Sequence, residues 1–101
     1  MKEIILVNHA RLQRSAVYEV IKVEKVEQRL IPVSRITEVT ALERSIKKDV
    51  MDEEVQKQVK KMSLDDELGG SIIIYLDASG DAKYATVLET PEAIYKQIYS
   101  E

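Results

Sequence analysis

His9 is the only histidine in the chain and there is no cysteine, so the residues that most often carry metal or nucleophilic chemistry are almost absent. Zinc and copper sites need two or more nitrogen or sulfur ligands, and this sequence offers one. A carboxylate-only magnesium or calcium site stays open. His9 follows Asn8 at the end of an apolar run and reads as a surface residue. The segment Asp77-Ala78-Ser79-Gly80-Asp81 puts oxygen donors at alternate positions, as a calcium loop begins. An EF-hand loop then needs Gly at its sixth position and Glu at its twelfth, where this chain has Ala82 and Leu88. A hairpin turn is the better reading. Asp52-Glu53-Glu54 and Asp65-Asp66-Glu67 are paired carboxylates in polar surroundings, without the apolar pocket that would perturb them for acid–base work. With only Gly69, Gly70 and Gly80, the chain lacks a nucleophile elbow, a Walker loop and a dinucleotide fingerprint. Ser15, Ser34 and Ser79 have no base that the sequence assigns to them. These absences point away from an enzyme and imply no cofactor. An enzyme whose pocket forms only on oligomerisation stays open.

The elements that would position these residues follow from hydrophobic patterning. In 101 residues there is room for one domain and one core. Ile and Val supply 11 residues each against 8 Leu, with neither Phe nor Trp, which fits a pleated sheet better than a helix bundle. Lys2–Asn8 predicts a first strand around Ile4-Ile5-Leu6-Val7, and Ala10–Ser15 a connection or short helical turn. The β-branched density over Ala16–Lys25 favours a strand over a helix. Arg29–Val33 predicts a short strand in which Pro32 must lie at an edge, a bulge or a strand end. Ser34-Arg35 makes a corner, and Ile36–Leu42 resumes as a strand with Ile36, Glu38, Thr40 and Leu42 facing opposite to Thr37, Val39 and Ala41. Val50–Met62 predicts an amphipathic helix with Asp49 as N-cap, acids in the first turn and lysines in the last. Its apolar stripe (Met51, Val55, Val59, Met62) is thin and suits light packing or docking onto another chain, and methionines make such a surface adaptable. Gly69-Gly70 reads as a flexible stop, so residues 45–70 form a helical insertion between sheet strands. Ser71–Asp77 and Lys83–Leu88 pair as a hairpin. Thr90-Pro91 then opens a helix whose apolar side, Ile94, Tyr95, Ile98 and Tyr99, covers the sheet.

Net charge is −3, but its distribution is uneven. Residues 1–48 carry 10 Lys+Arg against 6 Glu, and residues 49–101 carry 5 Lys against 12 Asp+Glu. Every arginine lies in the first half. Arg11, Arg14, Arg29 and Arg35 are the candidates for an anion-binding face, with Tyr18 as a stacking ring. A pI near 5.3 and the scarcity of aromatics argue against nucleic acid. Self-complementary packing between copies would use the same asymmetry, and the plainer reading is that folding mixes the two halves. The cysteine-free composition predicts a reducing, cytoplasmic setting, and neither a signal peptide nor a membrane span is expected.

Arg29–Val39 (RLIPVSRITEV), the hairpin SIIIYLDASGDAKYATVLE and the helix opening ETPEAI together resemble small, largely uncharacterised proteins of bacteria and their phages. Flagellar FlbD-type proteins have a similar layout of strand, corner, strand, hairpin and capped helix. The resemblance covers roughly residues 29–98 at the level of the fold. Residues 45–70 depart from it, because such proteins usually have a short turn there. It implies an interaction module without catalysis, and it transfers no site residues.

The expected architecture is α+β: a mostly antiparallel sheet of five to six strands, a C-terminal covering helix and an inserted helix near residues 50–62, in one domain spanning 1–101. The expected function is a non-enzymatic protein-interaction or assembly module whose partner is another protein or, in self-association, a second copy. The alternative is a small anion- or nucleic-acid-binding regulatory protein using the arginines.

Overall fold

A computed structural model of the chain describes residues 2–14, 21–42, 51–61 and 68–100. The fold is α+β, with five antiparallel strands and two helices among these residues. The strands are β1 (Ile4–Arg14), β2 (Ile21–Pro32), β3 (Ile36–Ala41), β4 (Leu68–Leu76) and β5 (Ala82–Glu89). Helix α1 (Glu53–Lys61) lies between β3 and β4 in the chain, and α2 (Pro91–Tyr99) follows β5. Across the sheet the order is β2-β1-β5-β4-β3. Strands from the acidic second half therefore sit between strands from the basic first half, and the sequence halves are not spatial faces.

Alternation along the strands divides the interior in two. Ile5, Val7, Ile31, Ile73, Ala85 and Val87 point to one face, where Ile94 and Ile98 of α2 cover them. Ala10, Val23, Val26 and Leu88 point to the other, where Met51, Val55 and Val59 close over them. Full burial of side chains of this size contributes roughly 1.5–3 kcal/mol each.

Several elements differ from the expectations, each for a local reason. Ala10–Arg14 is not a connection: β1 runs on to Arg14, paired with β2 throughout. Arg29–Val33 is not a separate strand: Arg29–Pro32 end β2, whose first described residue is Ile21, and Val33 opens a 3₁₀ turn. Within Ala16–Lys25, residues 16–20 lie outside the described residues and 21–25 are strand. Val23 and Val26, three positions apart, share a face because Glu24 is an extra residue opposite the Arg11/Leu12 step, a bulge in β2. A second bulge at Thr37 does the same for Ile36 and Val39, which therefore share a face instead of opposing one another. The Thr37 hydroxyl donates to the Ile74 carbonyl at 3.1 Å. Pro32 ends β2, an edge strand, where no ladder hydrogen bond is asked of it.

The expected N-cap, Asp49, and the stripe residue Met62 lie outside the described residues. Asp52 caps α1, accepting from the Val55 amide at 2.9 Å. Gly69 and Gly70 are not a stop but part of β4. They form a bulge between the Leu68–Glu89 and Ser71–Val87 pairs, with Gly70 at φ 91° and Gly69 against Thr90. The Asp77 turn is as expected: its carboxylate accepts from the Ser79 and Asp81 amides, each at 2.9 Å, and Gly80 takes φ 84°. Thr90 caps α2 by accepting from the Ala93 amide at 3.2 Å, with Pro91 in the first turn.

Candidate interaction surface

Two adjacent cross-strand pairs show where the apolar surface ends up. Ile5 pairs with Ile31, and both are buried beneath α2. One step along, Leu6 pairs with Leu30 on the opposite face, and Leu30 is 67% exposed. Ile4, next on that face and paired with Pro32, is half-exposed, as is Leu6. Helix α1 covers this face only further along, over Ala10, Val23 and Val26. Leu6 and Ala10 are four residues apart, about 13 Å along a strand. At the other end of the sheet, Tyr84 and Leu76 are also exposed.

The backbone of this bare corner is held by side chains. The Gln97 amide brackets Leu6: the Leu6 N–H donates to its Oε1 at 2.7 Å, and its Nε2 donates to the Leu6 carbonyl at 2.9 Å. The Asn8 N–H donates to both oxygens of the Glu89 carboxylate, each at 2.9 Å. Ser71 donates its hydroxyl to the Glu89 carbonyl at 2.7 Å. Asn8, Ser71 and Glu89 are the buried polar side chains among the described residues.

A second exposed apolar surface lies on the outside of α2. Tyr95 and Tyr99, 63% and 56% exposed, stack with ring centroids 4.7 Å apart and planes tilted by 42°. With Pro91, Glu92 and Lys96 they line an open, shallow hollow of about 650 Å³. Hydrogen bonding to Tyr95, and then its nearby phenol, raise the Tyr99 pKa. The two tyrosines were expected to cover the sheet beside Ile94 and Ile98. One residue advances a helix by about 100°, and that rotation places them outside.

The residues singled out from the sequence fall as follows. Met51, Val55 and Val59 are buried in the chain's own core. Offering them to a partner would cost several kcal/mol, much of the 5–15 kcal/mol that holds a small domain together. Arg11 and Arg29 stand on one face of the β1–β2 pair, where Arg11 pairs with Lys25 and Arg29 with Val7. Arg11 lies 3.6 Å from Glu24, and Arg29 4.0 Å from Glu27, which Lys25 also holds at 2.8 Å. Arg35 is apart from them, exposed in the 3₁₀ turn Val33–Arg35. Arg14 is placed by its backbone alone, at the end of β1. Arg11 and Arg29 thus sit beside carboxylates, and Arg35 stands apart from both. His9 pairs with Glu27 across the strands. Among the described residues, no group of three His, Cys, Asp or Glu side chains is placed to hold a metal ion, and no helix is long and apolar enough to cross a membrane.

Sequence reasoning missed Ile4, Leu6 and Leu30 because Ile4–Val7 reads as an unbroken apolar run, the mark of a strand buried on both faces. The available signal lay in the partner strand, where Leu30 and Ile31 must point to opposite faces. No protein-family model, curated protein or solved structure matches this chain.

Proposed function

We propose that this chain is a non-catalytic assembly module, of bacterial or phage type, that associates with copies of itself through the bare sheet corner at Ile4, Leu6 and Leu30. The observation that carries the proposal is the exposed Leu6–Leu30 pair, set beside Ile4 and back to back with the buried Ile5, Val7 and Ile31. Single exposed leucines are ordinary on protein surfaces, whereas contiguous ones on a rigid sheet mark contact sites. The β2 edge itself is a poor docking site. Lys22, Glu24, Lys25, Glu27 and Arg29 crowd it, as charges do on edges protected from strand addition. Association is therefore face to face, through side chains. The resemblance to small flagellar and phage proteins and the cysteine-free, cytoplasm-compatible composition belong to the same proposal. The anion-binding alternative draws less support, since Arg11 and Arg29 already sit beside glutamates.

Light scattering tests the assembly. The wild-type mass should exceed the single-chain 11.5 kDa, rise with concentration and persist at high salt, because apolar contact is not screened. Replacing both Leu6 and Leu30 with Lys should lower the mass while leaving the thermal transition nearly unchanged. A single-chain mass at every concentration and salt would end the proposal.

A further inference from the structure

We infer that the outer face of α2 is a second, separate contact, on which a second copy of the chain packs its own α2 in the antiparallel sense. The face has two rows, one turn between successive members. Pro91, Tyr95 and Tyr99 form an apolar row, and Glu92 and Lys96 form a charged row beside it. Ile94 and Ile98 turn into the core, while Glu92, Tyr95, Lys96 and Tyr99 are exposed and Pro91 is half-buried. When two identical helices meet antiparallel about a two-fold axis, each row faces the same row of the other copy, running in reverse. With the axis level with Ala93–Tyr95, Glu92 of each copy stands beside Lys96 of the other. The tyrosine rows then interleave across the axis. A parallel pairing about a two-fold axis would instead set each charged row against the tyrosine row of the other copy. The arrangement of the rows thus selects the antiparallel pair, and the apolar row supplies the area to bury. Tyrosine suits such a contact, giving large, stiff surface with a polar tip.

A helix of 9 residues is about 13 Å long, so two of them bury less than the ~1,200 Å² of a standard stable interface. The dimer is consequently weak and concentration-dependent.

Sedimentation equilibrium in the L6K/L30K background isolates this contact from the sheet corner, so failure of one proposal is read separately from failure of the other. That protein should still form a dimer at high concentration. Y95A/Y99A, at positions exposed in the folded chain, should weaken the dimer at least about tenfold. E92K alone and K96E alone should each weaken it, because like charges then meet across the axis. Mixing E92K with K96E in equal amounts should restore a dimer containing one copy of each, since Lys rows then face Glu rows. Salt bridging within one helix cannot produce rescue on mixing. A dimer unaffected by Y95A/Y99A, the absence of any dimer in the L6K/L30K background, or failure of mixing to rescue the single variants would overturn the inference.

Discussion

His9 faces Glu27 across β1 and β2 with Arg29 nearby, and its proton is governed by that setting. Partial withdrawal from water lowers its pKa, and the Arg29 charge lowers it further, while Glu27 opposes them less strongly. The folded chain therefore takes up this proton at a lower pH than the unfolded chain, whose value is near 6.5. Between those two values the unfolded state binds more protons, so stability falls as pH drops below about 6.5. Glu27 acts in the same direction at lower pH. Its hydrogen bond from Lys25, followed by the charge of Lys25, depresses its pKa, and that contribution fades as pH falls below the unfolded value of 4.5. The His9 ring resonances should titrate with a midpoint below 6.5 in an NMR pH series. Arg29→Gln should move the midpoint part of the way back, since burial, the larger cause, remains. A wild-type midpoint at or above 6.5 would contradict this account.

At the scale of elements, the junction of β4, β5 and α2 depends on one close approach. A Cβ on Gly69 would stand 2.6 Å from the Cγ2 methyl of Thr90, the residue whose hydroxyl caps α2. Gly69→Ala should therefore cost about 1–3 kcal/mol in chemical denaturation. Thr90→Ser keeps the capping oxygen and removes the obstructing methyl. The double variant G69A/T90S should recover most of the loss, a non-additive result that a general intolerance of alanine would not give. This junction also shows what the sequence makes legible. The β4–β5 hairpin, its Asp77 turn and the Thr90-Pro91 helix start could be read, because each is specified by residues adjacent in the chain. The glycine pair could not: its role is fixed by Thr90, some twenty positions away. The same holds for β2, where one extra residue at Glu24 puts Val23 and Val26, three positions apart, on one face.

Over the whole molecule, the sheet serves as a partition between two small cores, each closed by one short helix. Among the described residues neither helix reaches the Leu6–Leu30 corner, where apolar side chains stay exposed. The candidate site was illegible in the sequence for that reason. Composition gives the number of apolar side chains, but coverage depends on where nine-residue helices come to rest. The proposed corner contact and the proposed α2 contact are both self-complementary. Two such contacts on one chain, with different two-fold axes, close into a tetramer or continue as an open chain.

Gln97 gives this architecture one more property. Its primary amide turns one N–H and its oxygen toward Leu6, the pair that one residue of a paired strand would present, and it occupies the place beside Leu6 where a neighbouring strand would run. The inner margin of β1 at Leu6 is thus fastened to a helix side chain, not to another strand. In heavy water the Leu6 amide should report whether α2 is docked, independently of whether the sheet is folded. Gln97→Ala should speed exchange at Leu6 well above that at Ile5 and Val7, whose amides alternate toward β2. Equal acceleration at all three would show instead that the β1–β2 pairing had loosened. One amide proton would then serve as a gauge of helix docking in an otherwise closed sheet.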